Sequence, residues 1–318
     1  MDKPNLNSSV ITDQNALRDM LWAAGLDLRA LQRPNIGRVF ADIGFDWASI
    51  VFMVFAVHRT GWWLGPIAVM WVGNRQRALG NLLHDAGHRN LALSSRVNDL
   101  IARIFLAPAL CNSLAVYREL HARHHAWLGD SRRDPDYIAT EHEGESWPWW
   151  KHYLRVLCSK KTWLGSLLGH LYASAATRLQ RAAILLWWTA LLTTIALAAA
   201  PGYAITLLAI WIIARATSFH LVTTFREMSD HFGLQPGGIF SFTRDVSASD
   251  LWSLVIHPRS NGYHLTHHLI PSIPYHRLAT AHGIFRTLPG FAGLASISDA
   301  YFRGDGAVVR AWTTTDEA

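Results

Sequence analysis

Histidines recur in three tight clusters: His84-Asp85-Ala86-Gly87-His88, His121-Ala122-Arg123-His124-His125 and His264-Leu265-Thr266-His267-His268. Spacings of three and four put the rings of each cluster on one helix face. Such a stripe aims two or three imidazole nitrogens at one point, as a transition metal requires of neutral histidine. Together the clusters hold more nitrogens than a four-coordinate zinc takes, so the chemistry indicated is that of a multinuclear site. A further ring, His231, lies one helical turn after Glu227 in Phe225-Arg226-Glu227-Met228-Ser229-Asp230-His231.

Rings so far apart in sequence converge only if several elements are packed together, and composition indicates the medium. Half of the 318 residues are apolar and 16% are charged, against roughly a quarter in soluble domains. The 15 Trp suit a membrane–water boundary. The net charge of +6 comes without a basic-aromatic nucleic-acid motif, so no nucleic-acid partner is expected. The excess reads as cytoplasmic loops beside anionic lipid. With Cys111 and Cys158 as the only cysteines, a disulfide framework is not expected and a reducing compartment is. The charged N-terminus lacks the apolar run of a signal peptide.

The elements that must position the rings are apolar helices. From Ala182 to Ala200 no residue is charged, Pro201-Gly202 interrupts, and Tyr203 to Phe219 is apolar again. An earlier pair is interrupted at His58-Arg59-Thr60-Gly61. Spans at 39–57, 62–83, 182–200 and 203–220 approach the ~20 residues a crossing needs. They make two hairpins whose outer turns hold only Arg59 among the Lys and Arg residues, which puts the histidine side in the cytoplasm. The expectation is an all-α protein of the inner membrane, with about four transmembrane helices and a cytoplasmic helical cap. Residues 1–38 form a cytoplasmic segment, 39–285 the membrane domain and 286–318 a cytoplasmic tail. Trp147-Pro148-Trp149-Trp150-Lys151 reads as an interfacial helix.

The stretches Asn81 to His88, Arg118 to His125 with Asp134-Pro135-Asp136, and His264 to Tyr275 resemble, in order, the three histidine boxes of integral-membrane fatty acid desaturases and hydroxylases of bacterial type. The resemblance covers roughly residues 40–285. It implies a non-haem di-iron centre that uses O2 to remove hydrogen from an unactivated C–H bond. By position its ligands are His84, His88, His121, His124, His125, His231, His264, His267 and His268. Acyl-CoA desaturases of the family carry Asn one turn before the ligand corresponding to His231. Glu227 stands there instead, which leaves it as a ligand through water, a supporting group or neither. Asp85, Asp230, Asp134 and Asp136 are candidates to accept a hydrogen bond from a metal-bound imidazole; for Asp134 and Asp136, which flank a turn-forming Pro, a helix cap or a surface ion pair is the favoured reading. His58, His142, His152, His170, His220, His257, His276 and His282 are read as non-ligands.

Pro236-Gly237-Gly238 resembles the haem motif of cytochrome b5, but Gln235 replaces the required His. Electrons are therefore expected from a separate ferredoxin-, rubredoxin- or cytochrome b5-like carrier. The implied function is desaturation of an alkyl or acyl chain in the bilayer. Desaturation or hydroxylation of a small specialised metabolite or a carotenoid is the alternative. A non-enzymatic metal-binding protein or transporter is the reading from another class, and the uncharged span 182–200 argues against it. Reporter fusions at the C-terminus and at the Pro201-Gly202 turn are expected on opposite sides of the membrane; both on one side would break the four-crossing arrangement.

Overall fold

Capping side chains and glycine stops set where the apolar runs become helices. The computed structural model describes residues 6–139 and 147–313. The helices begin with α1 (Leu6–Ala23), α2 (Ile36–Thr60), α3 (Gly65–Gly87), α4 (Ser95–Ile101), α5 (Leu114–Ala126), α6 (Trp149–Leu157), α7 (Lys160–Leu168) and α8 (Arg178–Ala198). They continue with α9 (Pro201–Ala214), α10 (His220–His231), α11 (Ile239–Phe242), α12 (Leu251–Ile256), α13 (His264–Leu269), α14 (Leu278–Phe285) and α15 (Phe291–Leu294). Two short strands, β1 (Arg244–Val246) and β2 (Ser296–Ser298), pair in parallel with Arg244 opposite Ser296. The protein is thus mostly helical, as expected, with this one small ladder added.

The chain divides into two compact units. The span unit comprises Asn35–Tyr117 and Val156–Thr224. The histidine unit comprises Met1–Pro34, Arg118–Arg155 and Phe225–Ala318. The division passes through α5, α6 and α10.

In the span unit Asn35 Oδ1 accepts the Arg38 N–H at 3.0 Å to start α2, and Gly61 ends that helix at a φ of 105°, a conformation open to glycine. A reciprocal Thr177–Gln180 capping box opens α8, and Pro201 opens α9, where its missing N–H leaves no bond unmade. A π-turn at Arg215–Phe219 carries α9 into α10. Three helices, Ile36–Thr60, Arg178–Ala198 and Pro201–His231, are long and apolar enough to cross a membrane. The expected span 62–83 is helical but falls outside that group. Its helix α3 carries Asn74, Arg75, Gln76, Arg77 and Asn81. These side chains are paired within the unit: Arg75 with Asp46 at 3.1 Å, Gln76 Nε2 with the Trp211 carbonyl at 3.1 Å, and Arg77 with Asn81. Several of the tryptophans also serve the interior. Trp47, Trp187 and Trp188 donate their indole N–H groups to the carbonyls of Phe105, Ile104 and Pro108. These carbonyls lie in or just after the second π-turn, Ala102–Leu106. An unmade bond there would cost about 1–3 kcal/mol if buried.

In the histidine unit one apolar cluster joins Leu17 and Leu21 of α1 with Leu265 and Leu269 of α13, Phe285 of α14 and Phe291 of α15. Each such side chain contributes about 1.5–3 kcal/mol when fully buried, which holds α1 against the unit. Two polar contacts set its register: Asp13 Oδ2 accepts the Phe240 N–H at 3.1 Å, and Gln14 Nε2 donates to the His268 carbonyl at 3.1 Å. The segment expected as a tail is part of the same unit. Tyr301, Val308, Val309 and Trp312 are buried, and β2 pairs with β1. This unit is assembled from three separated segments.

Close packing in the span unit rests on Gly73. A Cβ there would press on Ser218 Oγ and lie 2.8 Å from the Phe219 amide nitrogen, where the Ser218 hydroxyl donates to the Val69 carbonyl at 2.6 Å. Gly73→Ala should destabilise the protein by about 1–3 kcal/mol, the usual cost of overpacking. Thermal unfolding in detergent checks this; an unchanged melting temperature would show that α3 can move aside.

Candidate metal centre

Helix α5 presents His121, His124 and His125, α13 presents His264, His267 and His268, and α10 ends on His231. Four of these rings, His124, His231, His264 and His268, are buried, with ligand-capable nitrogens all within 4.8 Å of one another. The Nε2 atom of His264 is 3.0 Å from that of His231 and 3.0 Å from that of His268. His124 Nε2 is 3.3 Å from His268 Nε2. Beside them His125 Nε2 lies 3.1 Å from both His121 Nε2 and His267 Nε2. The remaining two expected ligands, His84 and His88, belong to the span unit, where they end α3 with ring centroids 5.2 Å apart.

What occupies the other ring nitrogens determines what the first group can do. His124 Nδ1 is 2.8 Å from Asp134 Oδ1, and His231 Nδ1 is 2.8 Å from the Phe242 carbonyl oxygen. Both partners are acceptors, so each ring donates its Nδ1–H outward and turns an Nε2 lone pair inward. Burial, reinforced for His264 by the Arg226 charge and for His268 by the neighbouring His125, pulls both histidines well below the ordinary histidine range. Both therefore stay neutral near pH 7. Neutral imidazoles this close share a ring N–H between facing nitrogens at 3.0–3.3 Å, and a transition-metal cation could take that proton's place. The donor set is all imidazole, which suits iron, zinc, copper or nickel and not magnesium or calcium. The residues fit a transition-metal site.

Carboxylates hold this group from behind. Asp134 does belong to a turn, accepting the amides of Gly129 and Asp136 at 2.9 Å each, and it grips His124 as well. Burial alone would raise the Asp134 pKa, but the His124 bond and charge and the two amides hold it below the usual carboxylate value. Burial likewise pulls His124 down, and the bond to Asp134 with the charges of Asp136, Asp134 and Glu227 lifts it above the ordinary value. An ionised Asp134 makes the His124 ring a more basic ligand. Asp230 is fully buried, with Arg226 at 2.9 Å, His257 Nε2 at 3.5 Å and His264 Nε2 at 3.6 Å. Glu227 accepts from Arg226 at 3.0 Å, its side chain 37% exposed. Asp85 is buried in the span unit, 4.0 Å from Nδ1 of the adjacent His84.

Sequence reasoning passed over several of these groups. Arg226, His257, Tyr301, Asp245 and His282 recur at no ligand spacing. His257 and His282, read as non-ligands, join neither metal-holding group among the described residues. Each instead meets a buried acid: His257 faces Asp230 and Tyr301 Oη (2.8 Å), and His282 meets Asp245 at 2.7 Å. The signal available was a buried-type Asp within reach of a spare His, which spacing does not reveal. His142 lies outside the described residues.

Comparison with known proteins points to the same chemistry. Residues 60–299 match the fatty acid desaturase family. A dihydrorhizobitoxine desaturase from Bradyrhizobium elkanii is 30% identical over 296 residues, 85% of this chain and 81% of that protein. An sn-1 oleoyl-lipid 12-desaturase from Synechocystis sp. is 35% identical over 86 residues, 25% of this chain and 24% of that protein. A chloroplastic omega-6 fatty acid desaturase from Glycine max is 27% identical over 95 residues, covering 28% and 22%.

Asp134→Ala should leave the protein folded and weaken divalent transition-metal binding about 10- to 100-fold, the usual result of removing a carboxylate from a ligating histidine. Metal titration of the purified protein reads this directly, and wild-type affinity would remove Asp134 from the site.

Proposed function

Because the chain belongs to the fatty acid desaturase family, we propose that it is an O2-dependent membrane desaturase that introduces a double bond into an alkyl or acyl chain. The observation that carries the metal assignment is the convergence of four buried imidazoles, His124, His231, His264 and His268. The proposed ligand set is these four with His121, His125, His267, His84 and His88, the last two on the strength of the first histidine box. When bound, two non-haem irons would supply the means to activate O2 and oxidise an unactivated C–H bond. The chain's own part is to aim the rings, with burial keeping His264 and His268 neutral. Asp134 and the Phe242 carbonyl fix two tautomers, and the surrounding apolar cluster limits water. Asp85 is proposed as a further acceptor behind His84, Asp230 as a buried charge paired with Arg226 beside His264, and Glu227 as a charge balanced by Arg226 at the edge of the site.

The proposed setting is the inner membrane, crossed by two helical hairpins, with the site facing the cytoplasm. The three long apolar helices support it, and α3 is proposed as the fourth crossing, its polar side chains turned inward. Electrons are proposed to arrive from a separate carrier.

A second substrate reading has a specific observation behind it. The relative matched over most of its length is named for dihydrorhizobitoxine, whereas the oleoyl-lipid and omega-6 enzymes match over about a quarter of the chain. That contrast favours a small specialised metabolite over a membrane lipid.

One experiment tests the activity and separates the substrates. The wild type and His124→Ala are expressed in a bacterial host, and lipids and small metabolites are compared by mass spectrometry, with iron measured on the purified proteins. Wild-type-dependent loss of two hydrogens from acyl chains would establish a lipid desaturase, and the same loss in a small metabolite would establish the second reading. His124→Ala should insert normally and lose turnover. Retained activity in the variant would overturn the ligand assignment.

A further inference from the structure

The helix that carries three of the proposed ligands has no means of standing alone. Helix α13 is six residues long, and Tyr263 at its start offers no side-chain cap. Isolated helices need at least about 12 residues to be even marginal in water, and each leaves its first amides unpaired. Here the missing cap comes from elsewhere. Asp245 Oδ1 accepts the Thr266 N–H at 3.0 Å, and Oδ2 accepts the Thr266 hydroxyl at 2.5 Å. His282 Nδ1 holds the same carboxylate at 2.7 Å. Thr266 stands between His264 and His267, so the acid grips the box at its middle.

The preceding residue does the complementary work on another ligand helix. Arg244 Nη1 donates to the Ser229 carbonyl at 2.9 Å and Nη2 to the Phe232 carbonyl at 3.3 Å. These carbonyls flank His231 at the C-terminal end of α10. A cation at a helix C-terminus and an anion at a helix N-terminus both match the helix dipole. Both side chains are fully buried, and alternate residues of a strand point to opposite sides. Strand β1 thus reaches one helix end from each side, while Phe242, two residues earlier, accepts from His231 Nδ1.

We propose that Arg244 and Asp245 form a clamp that positions the metal centre, setting His231 against His264, His267 and His268 by holding the ends of their two helices. This rests on the reading of the histidine cluster as a metal site. It assigns no contact with substrate or metal to either residue; they act through the helices they hold.

The test uses the full-length protein in detergent, with Co(II) as probe, for Asp245→Ala, Asp245→Asn and Thr266→Val. Binding affinity and the visible spectrum of bound cobalt are read beside circular dichroism and melting temperature. A folded Asp245→Ala should bind cobalt about 10- to 100-fold more weakly, the usual effect of a supporting group, and with an altered spectrum. Asp245→Asn, which can still accept the Thr266 amide, should recover part of the affinity and most of the spectrum. Thr266→Val, which loses only the hydroxyl bond, should fall between wild type and Asp245→Ala. Wild-type affinity and spectrum in a folded Asp245→Ala would overturn the clamp. If that variant does not fold, the same result in Thr266→Val would overturn it. A wild type that binds no cobalt would overturn the metal reading itself, and the clamp with it.

Discussion

Buried imidazole nitrogens forced into mutual contact are the constraint to which the rest of the histidine unit answers. His124, His231, His264 and His268 bring their ligand atoms within 4.8 Å of one another, and all four residues are buried. Neutral rings so placed can share only one ring N–H between each facing pair, and charged rings would repel. The arrangement therefore has to be imposed by the surrounding structure. Burial serves the same end, since it disfavours the protonated form of His264 and His268 and so keeps lone pairs available for a cation.

Imposing that geometry falls to elements that are individually weak. Helix α13 is too short to persist without help, and α10 must stop with His231 at the right height. The help is of two kinds. Apolar burial, from Leu17 and Leu21 of α1 to Phe285 and Phe291, presses the short helices together without fixing their register. Directional bonds fix it: Gln14 to the His268 carbonyl, Asp134 to His124, and the Phe242 carbonyl to His231. Undirected area supplies most of the energy, and a few buried hydrogen bonds select one arrangement.

The span unit solves a different problem. Its long helices meet an apolar medium with apolar side chains, while α3 directs Arg75, Gln76 and Asn81 into the unit, where each finds a partner. In a bilayer an unpaired polar group has no water to turn to. The pairing leaves these α3 side chains with partners inside the unit although the helix is more polar than the three long apolar ones.

Local spacing made much of this legible in advance. The i, i+3 and i, i+4 histidines declared their helix faces, and seven of the expected ligands do meet in one unit. Uncharged apolar runs marked α8 and α9, and a shorter one, Trp47 to Val57, marked α2 only with Asp42 and Asp46 tolerated inside it. Roles that depend on a partner far along the chain were not legible. Asp134 was one candidate acceptor among four, with a helix cap or surface ion pair favoured, because its contact with His124 has no signature of its own. Asp245 and His282 looked like an ordinary acid and a spare histidine because their meeting across 37 positions depends on how α14 packs. The supposed tail gave no sign that Tyr301 and Trp312 are buried. Sequence by itself determined the histidine clusters, the helix faces they share and the apolar runs, because these follow from residue identity and helical period. Tertiary structure alone decided which acid supports which histidine and which segments share a unit, because those depend on burial and directional bonds formed after the chain has packed.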